Sequence, residues 1–322
     1  MKNSKLGALL YVFALSMPGV VLAQAYPSKP VRMIIPAGAG GTVDTISRLI
    51  GPKLGEALGQ PVMPDNRPGA GTMLASELTA KAPHDGHTIL MVTNSHAINA
   101  SLHKRLPYDP IKDFECVILV ATSPYLLVVH PSVPANSVKE LIAVAKQRPG
   151  QLNFASAGTG SSTHLAGELF KSLAKADIVH VPYKGGSAAQ IGLAAGEVGL
   201  MFTGPIASAP LIKAKRVRAL AVTSLQRSPS FPDLPTVAEA GVPGYESGSW
   251  YGVVVPARTT PVVVKRLNQA IAAIMKDPEV EKRIEGLGAD ATTSTPEQFT
   301  ALLKRDVERW ARVTAQLGLQ IE

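Results

Sequence analysis

The chain of 322 residues contains a single cysteine, Cys116. One thiol makes no internal disulfide, so burial rather than crosslinking has to stabilise the fold. Cys116 lies in the apolar run "ECVILVA" and reads as a small core residue. Aromatic residues are scarce, at 5%. The lysines and arginines are scattered rather than clustered among rings, which argues against a nucleic-acid surface. His84 and His87 flank the turn Asp85-Gly86 with no third ligand in sequence view, so they read as surface histidines rather than a zinc site. No low-complexity tract and no repeat period of about 20–50 residues is present, which excludes a repeat array.

Long apolar runs are also missing, except at the start. Lys2 and Lys5 precede an apolar stretch from Leu6 to Ala23, interrupted by Pro18-Gly19 and closed by the small-x-small pattern Ala23-Gln24-Ala25. A membrane-spanning helix needs about 20 apolar residues held in place, so residues 1–25 read as a cleaved export signal. The signal has no cysteine to lipidate, and the expected product is free in the periplasm. Its loss takes two lysines off a formal charge of +8. The remaining excess would mildly concentrate small anions near the surface.

From Val31 onward, short β-branched runs alternate with amphipathic stretches, the pattern of an α/β protein with largely parallel sheets. After "VRMIIP", the residues Val43, Ile46, Ile50, Leu54 and Leu58 share one helical face that ends at Gly59 and Pro61. A second, similar series opens near Ser137, where Glu140 completes a capping box, and Ser187 with Gln190 reads as another. Prolines and glycines crowd Pro229 to Gly248, which reads as a linker or surface crossing. The length suits two domains of about 150 residues each.

Three loops share one design: "PAGAGGTVD", "SAGTGSSTH" and "PYKGGS". Each follows a strand, is rich in glycine and precedes a helix whose first N–H groups are unpaired, a ready site for a carboxylate or phosphate. The first is no dinucleotide fingerprint, since Val43 stands where the third glycine belongs. The second is no nucleophile elbow, although Ser161, Ser162 and His164 keep a periplasmic hydrolase open as the rival reading. Ser172 and Lys175 match S-x-x-K only by chance within a helix. Lys184 is equally an anion partner or a solvated charge. Trp250 and Tyr251 read as core residues near a junction where a ligand wall would lie.

The export signal followed by "YPSKPVRMIIP", "GGTVDTISR", "NRPGAG", "YDPIKDF", "SAGTGSSTHLAGELF", "VPYKGG", "RALAVTS", "PDLPTVAEAGVPGYE" and "SWYGVVVPA" resembles the Bug family, the solute-binding proteins of tripartite tricarboxylate transporters. The resemblance spans Tyr26 to Glu322. It implies a type II-like, two-lobed α/β periplasmic binding protein with its ligand cleft between lobes. Lobe 1 would take residues 26–126 plus 250–322, and lobe 2 residues 127–249. Also implied are a monomer without cofactor or metal, a small organic carboxylate as ligand, and the membrane permease subunits as partners, with an orphan carboxylate sensor for a signalling partner as the alternative to transport. Carried over to matching positions, Gly40, Gly41, Thr42 and Asp44 line one wall with Thr93 and Ser95. Gly160, Ser161, Ser162, His164, Tyr183, Lys184 and Thr203 form the other.

This chain departs from many relatives in having Ala37 and Gly38 where an aromatic residue and a proline are frequent, which would widen the site or make it more polar. Thr72 and Met73 follow Gly-Ala-Gly where Gly-Asn is frequent. Thr203 stands where some relatives carry aspartate, which favours simple acids over amino acids. Asp44 is a difficulty, because a carboxylate at a helix N-terminus repels an anionic ligand.

Overall fold

The computed structural model describes residues 26–39, 42–183, 186–316 and 318–320. The segment read as an export signal, Gly40, Gly41 and Lys184 therefore lie outside the described residues. In chain order the elements are β1 (Val31–Ile35), α1 (Thr42–Leu58), β2 (Val62–Asn66), α2 (Met73–Ala80), β3 (Thr88–Thr93), α3 (Ser95–Leu102), β4 (Phe114–Ser123) and β5 (Leu126–Val129). There follow α4 (Val138–Gln147), β6 (Asn153–Ser156), α5 (Ser162–Ala174), β7 (Val179–Pro182), α6 (Gly186–Ala195), β8 (Leu200–Thr203), α7 (Pro205–Lys213) and β9 (Arg218–Val222). The chain closes with β10 (Ser249–Pro256), α8 (Pro261–Ile274), α9 (Pro278–Glu285), β11 (Asp290–Ala291) and α10 (Pro296–Gln316). No helix among the described residues is long and apolar enough to cross a membrane.

The strands form two sheets, ordered β11-β4-β10-β3-β1-β2 and β7-β6-β8-β5-β9. In the first, β1 pairs in parallel with β2 and β3; in the second, β6 does so with β7 and β8. The expectation of largely parallel sheets needs correction, because both are mixed. β10 runs antiparallel between β3 and β4, and β5 runs antiparallel between β8 and β9. Each of these is the strand by which the chain enters a sheet after crossing from the other, β5 for the first time and β10 on its return. It therefore arrives from the opposite end, unlike strands joined by a helical crossover. Both sheets thus repeat one order, with the incoming strand in the same slot.

Helices cover the sheets because their apolar stripes match the sheet faces. The predicted stripe of α1, from Val43 to Leu58, is buried with Met33, Ile35, Ile89 and the inner face of α8. The second sheet buries Phe154, Phe170 and Phe202. The segment read as a linker is in fact pinned down: Val237, Val242 and Tyr245 are fully buried against the second sheet. Its prolines and glycines mask three well-spaced anchors. Ser137 caps α4 as expected, accepting from the Glu140 N–H, while Glu140 accepts from the Asn136 N–H. The box expected at Ser187 does not form, since α6 already starts at Gly186 and the Gln190 amide donates to Thr203 instead.

Candidate functional site

Helices α1 and α3 follow β1 and β3, while α5, α6 and α7 follow β6, β7 and β8. Their N-termini therefore stand at the carboxyl ends of the parallel strands, where open α/β sheets place ligands. Tyr125, in the two-residue crossing between β4 and β5, links the two sides. Its hydroxyl donates to Ser162 Oγ at the start of α5 (2.8 Å) and has Asn94, at the end of β3, as a second partner. Leu165 of α5 is buried among Ala75, Ile98 and Trp250 of the first sheet's side.

On the first side, Thr42 opens α1 and is a partner of the Tyr251 hydroxyl, as is Ser249. Tyr251 lies opposite Thr93 in the β10–β3 ladder. Thr93 and Ser95 are half-buried, and the Ser95 N–H donates to Thr93 Oγ1 (3.4 Å). Between them, buried Asn94 donates to the Gly248 carbonyl (2.7 Å) and accepts from Ser249 Oγ (3.2 Å). A Cβ built on Gly38 would meet nothing within 4 Å, so this edge faces open space.

The Asp44 carboxylate is only 2% exposed, and it is not a bare charge. Arg48 Nε donates to both of its oxygens (3.0 Å each), and Asn66 Nδ2 donates to Oδ1 (2.8 Å). Asn66 also donates to the Ala37 carbonyl and accepts from Arg48 Nη2 (2.8 Å each). Asp44 thus braces the glycine loop against β2, with its charge neutralised by Arg48.

On the second side, Gly158 and Gly160 take φ of 126° and 79°, backbone that favours glycine. Ser161 is the N-cap of α5, with Oγ accepting from the His164 N–H (3.2 Å) and contacting Thr163 Oγ1 (3.1 Å). Capping leaves the N–H groups of Ser162 and Thr163 without intrahelical acceptors. Thr203 is buried and accepts from Gln190 Nε2 (2.8 Å). Tyr183 starts at the strand end, but its ring lies over Gly192 and its hydroxyl donates to Glu197 (2.9 Å), so its polar end is turned away from the α6 N-terminus.

The His164 ring is buried and stacks on His180 at 3.8 Å. Its Nδ1 accepts from the Gly160 N–H (3.1 Å), and its Nε2 lies 3.8 Å from Glu168. Burial, the neighbouring His180 and Lys171 push His164 down to about 4. Its acceptor nitrogen is taken, and Ser161 and Ser162 are engaged by the helix cap and by Tyr125. The serine–histidine arrangement of a hydrolase is therefore not assembled.

What the site offers is donors without a net charge of their own: first-turn N–H groups of several helices, whose partial positive ends favour anions, surrounded by hydroxyls. Among the described residues no group of three potential metal ligands occurs. His84 and His87 are half-buried rather than on the surface: His84 Nε2 lies 2.6 Å from Arg258 Nη2, and the His87 ring packs edge-on against Tyr26. The sequence reading missed Tyr125 and Asn94. Their signal was present, as a tyrosine at a crossing and an amide between two hydroxyl residues at a strand end.

A family model described as the tripartite tricarboxylate transporter family receptor matches residues 46–319. The chain is 34% identical to Protein BugT of Bordetella pertussis, over 97% of each protein. It is also similar to the R. palustris protein Rpa4515 solved with adipate, at 38% identity and a TM-score of 0.79, covering 92% of this chain and 100% of that one. MatC (Rpa3494) from Rhodopseudomonas palustris, solved with bound malate, is 32% identical with a TM-score of 0.74, covering 89% of this chain and 99% of that one.

Proposed function

Because the chain belongs to the tripartite tricarboxylate transporter receptor family, whose members are solute-binding receptors and not enzymes, we propose that it captures a small organic di- or tricarboxylate, or an aromatic acid, between its two lobes. It then delivers the acid, in the periplasm and as a monomer, to the permease subunits of a tripartite transporter. The lobes are 26–126 plus 250–322 and 127–249. The observation that carries this is the set of helix N-termini from both sheets gathered at one pair of crossings, with the acidic Asp44 neutralised by Arg48. The neighbours solved with adipate and malate support the acid class.

In this reading one carboxylate meets the first turn of α1 near Gly40, Gly41 and Thr42, beside Thr93 and Ser95. The other end meets the first turn of α5 at Ser162, with Gly160, Ser161, Thr203 and Lys184 around it. Each charge-assisted hydrogen bond contributes roughly 1.5–3 kcal/mol. A few of them, less the ordering costs, are enough for a micromolar site at about −8 kcal/mol. Lobe closure follows because an acid touching both lobes binds the closed state better.

A thermal-shift and calorimetric panel tests it, with adipate, malate, citrate, an aromatic acid, glutamate, a sugar and a simple cation. An acid held at 100 times its dissociation constant should add about 2.7 kcal/mol of stability. Stabilisation by the sugar or the cation alone sinks the carboxylate assignment. A refolded sample controls for acid carried through purification.

A further inference from the structure

We infer that His164 and His180 form a stacked positioning pair that sets the shape of the Gly158–Ser162 loop, and through it the affinity of the cleft, without touching the bound acid. This rests on the receptor reading above. Both glycines of the loop are tied to an imidazole, Gly160 directly and Gly158 through Ser156. The Gly160 N–H donates to His164 Nδ1 (3.1 Å), which must carry the lone pair, so the ring proton of the neutral form sits on Nε2, facing Glu168 at 3.8 Å. The Gly158 N–H donates to Ser156 Oγ (3.1 Å), and that hydroxyl also reaches the Gly158 carbonyl (3.1 Å) and His180 Nε2 (2.6 Å). The two rings stack at 3.8 Å and 23°, with Phe154 4.9 Å from His180 on the sheet side.

The geometry divides the work. By spending the Gly160 N–H on His164, the pair turns that donor away from the cleft and leaves the Ser162 and Thr163 N–H groups as the ones presented at the helix end. Acid distinguishes the two rings. A proton on His164 Nδ1 would point at the Gly160 N–H and break that contact. Protonated His180 keeps its contact by donating to Ser156, which then donates to Gly158. The charged groups facing the pair are Glu168 and Lys171 of α5, bonded to each other at 3.0 Å. Burial, then for His164 the neighbouring His180, and then Lys171 oppose a charge on the rings, which pushes each down to about 4. The loop therefore keeps its form at neutral and mildly acidic pH.

Substitutions at His164 separate positioning from simple packing. Asparagine places Oδ1 where Nδ1 was, glutamine places its amide where Nε2 was, and alanine removes both. Adipate and malate dissociation constants are measured by calorimetry for the wild type and for His164→Ala, His164→Gln and His164→Asn, together with exchange of the Gly160 amide in the ligand-free proteins. Alanine and glutamine should weaken binding about five- to tenfold, the worth of one hydrogen bond, while asparagine stays within about twofold. Equal binding by all four, or asparagine as poor as alanine, overturns the inference.

If no acid of the panel binds the wild type, the ligand class is wrong, and Gly160 exchange alone judges the pair. Slow exchange in wild type and His164→Asn with fast exchange in the other two supports it, and uniform exchange overturns it. Should His164→Ala fail to fold, Ser156→Ala carries the same comparison at Gly158: faster exchange there supports the pair, and unchanged exchange overturns it. In the ligand-free wild type the Gly160 amide resonance should shift with the same midpoint as the His164 ring. Separate midpoints overturn the coupling.

Discussion

Asp44 shows how a single residue's meaning changes with its neighbours. Read alone, it is an anion placed to repel an anion; held by Arg48 and by Asn66, which also donates to the Ala37 carbonyl, it fixes the loop that would receive the ligand. Asp44→Asn should therefore weaken adipate binding several-fold and lower stability by about 1–2 kcal/mol, since Arg48 is half-exposed and recovers some solvation. Calorimetry and urea denaturation check both. Tighter binding would mean that the repulsion, and not the brace, dominates. Cys116 gives a second test at this scale. It is 6% exposed, and burial pushes its thiol up to about 11. A thiol reagent at pH 8 should label the folded protein far more slowly than the unfolded one, at a rate that follows global or local opening.

At the scale of elements, α5 carries the site's geometry because its contact with the sheet is so close. A Cβ at Gly167 would stand 2.1 Å from the Phe154 ring, the same ring that backs His180. Gly167→Ala should cost about 1–3 kcal/mol and push the α5 N-terminus away from β6. The check is a lower Tm accompanied by weaker acid binding. Normal affinity at reduced stability would show that the shift does not reach the loop.

Elements of this kind were legible in the sequence wherever periodicity is strong, as along Val43 to Leu58. The short α3 was not, because eight residues of "SHAINASL" give too little pattern. Strand direction was not legible either. Whether β5 and β10 run with or against their neighbours depends on where the chain comes from, and no local pattern records that. For the same reason the glycine loops were visible only as candidate anion sites, while the Tyr125–Ser162 link and the part of Asn66 in the Asp44–Arg48 brace, made between separate elements, were not.

At the scale of the molecule, three histidines among the described residues are held low, to about 4: His96, His164 and His180, each chiefly by burial. An unfolded histidine takes up its proton near about 6.5. Between these values the unfolded chain binds more protons, so this contribution to stability is complete above about pH 6.5 and is lost as the pH falls towards 4. Urea midpoints measured from pH 7.5 to 4 should decline over that window, before most carboxylates titrate. A midpoint that stays level down to pH 4.5 would contradict the buried-neutral state of these rings.

The re-entrant strand β10 also sets a timetable. β3 and β4 are close in sequence but do not pair with each other; the place between them belongs to a strand made much later. While the chain is still growing, that slot is empty and both neighbours keep unpaired edges. The first sheet can close only after the whole of the second has been delivered. The strand order thus carries its own delay: β3 and β4 must wait for a partner made after the whole of the second sheet.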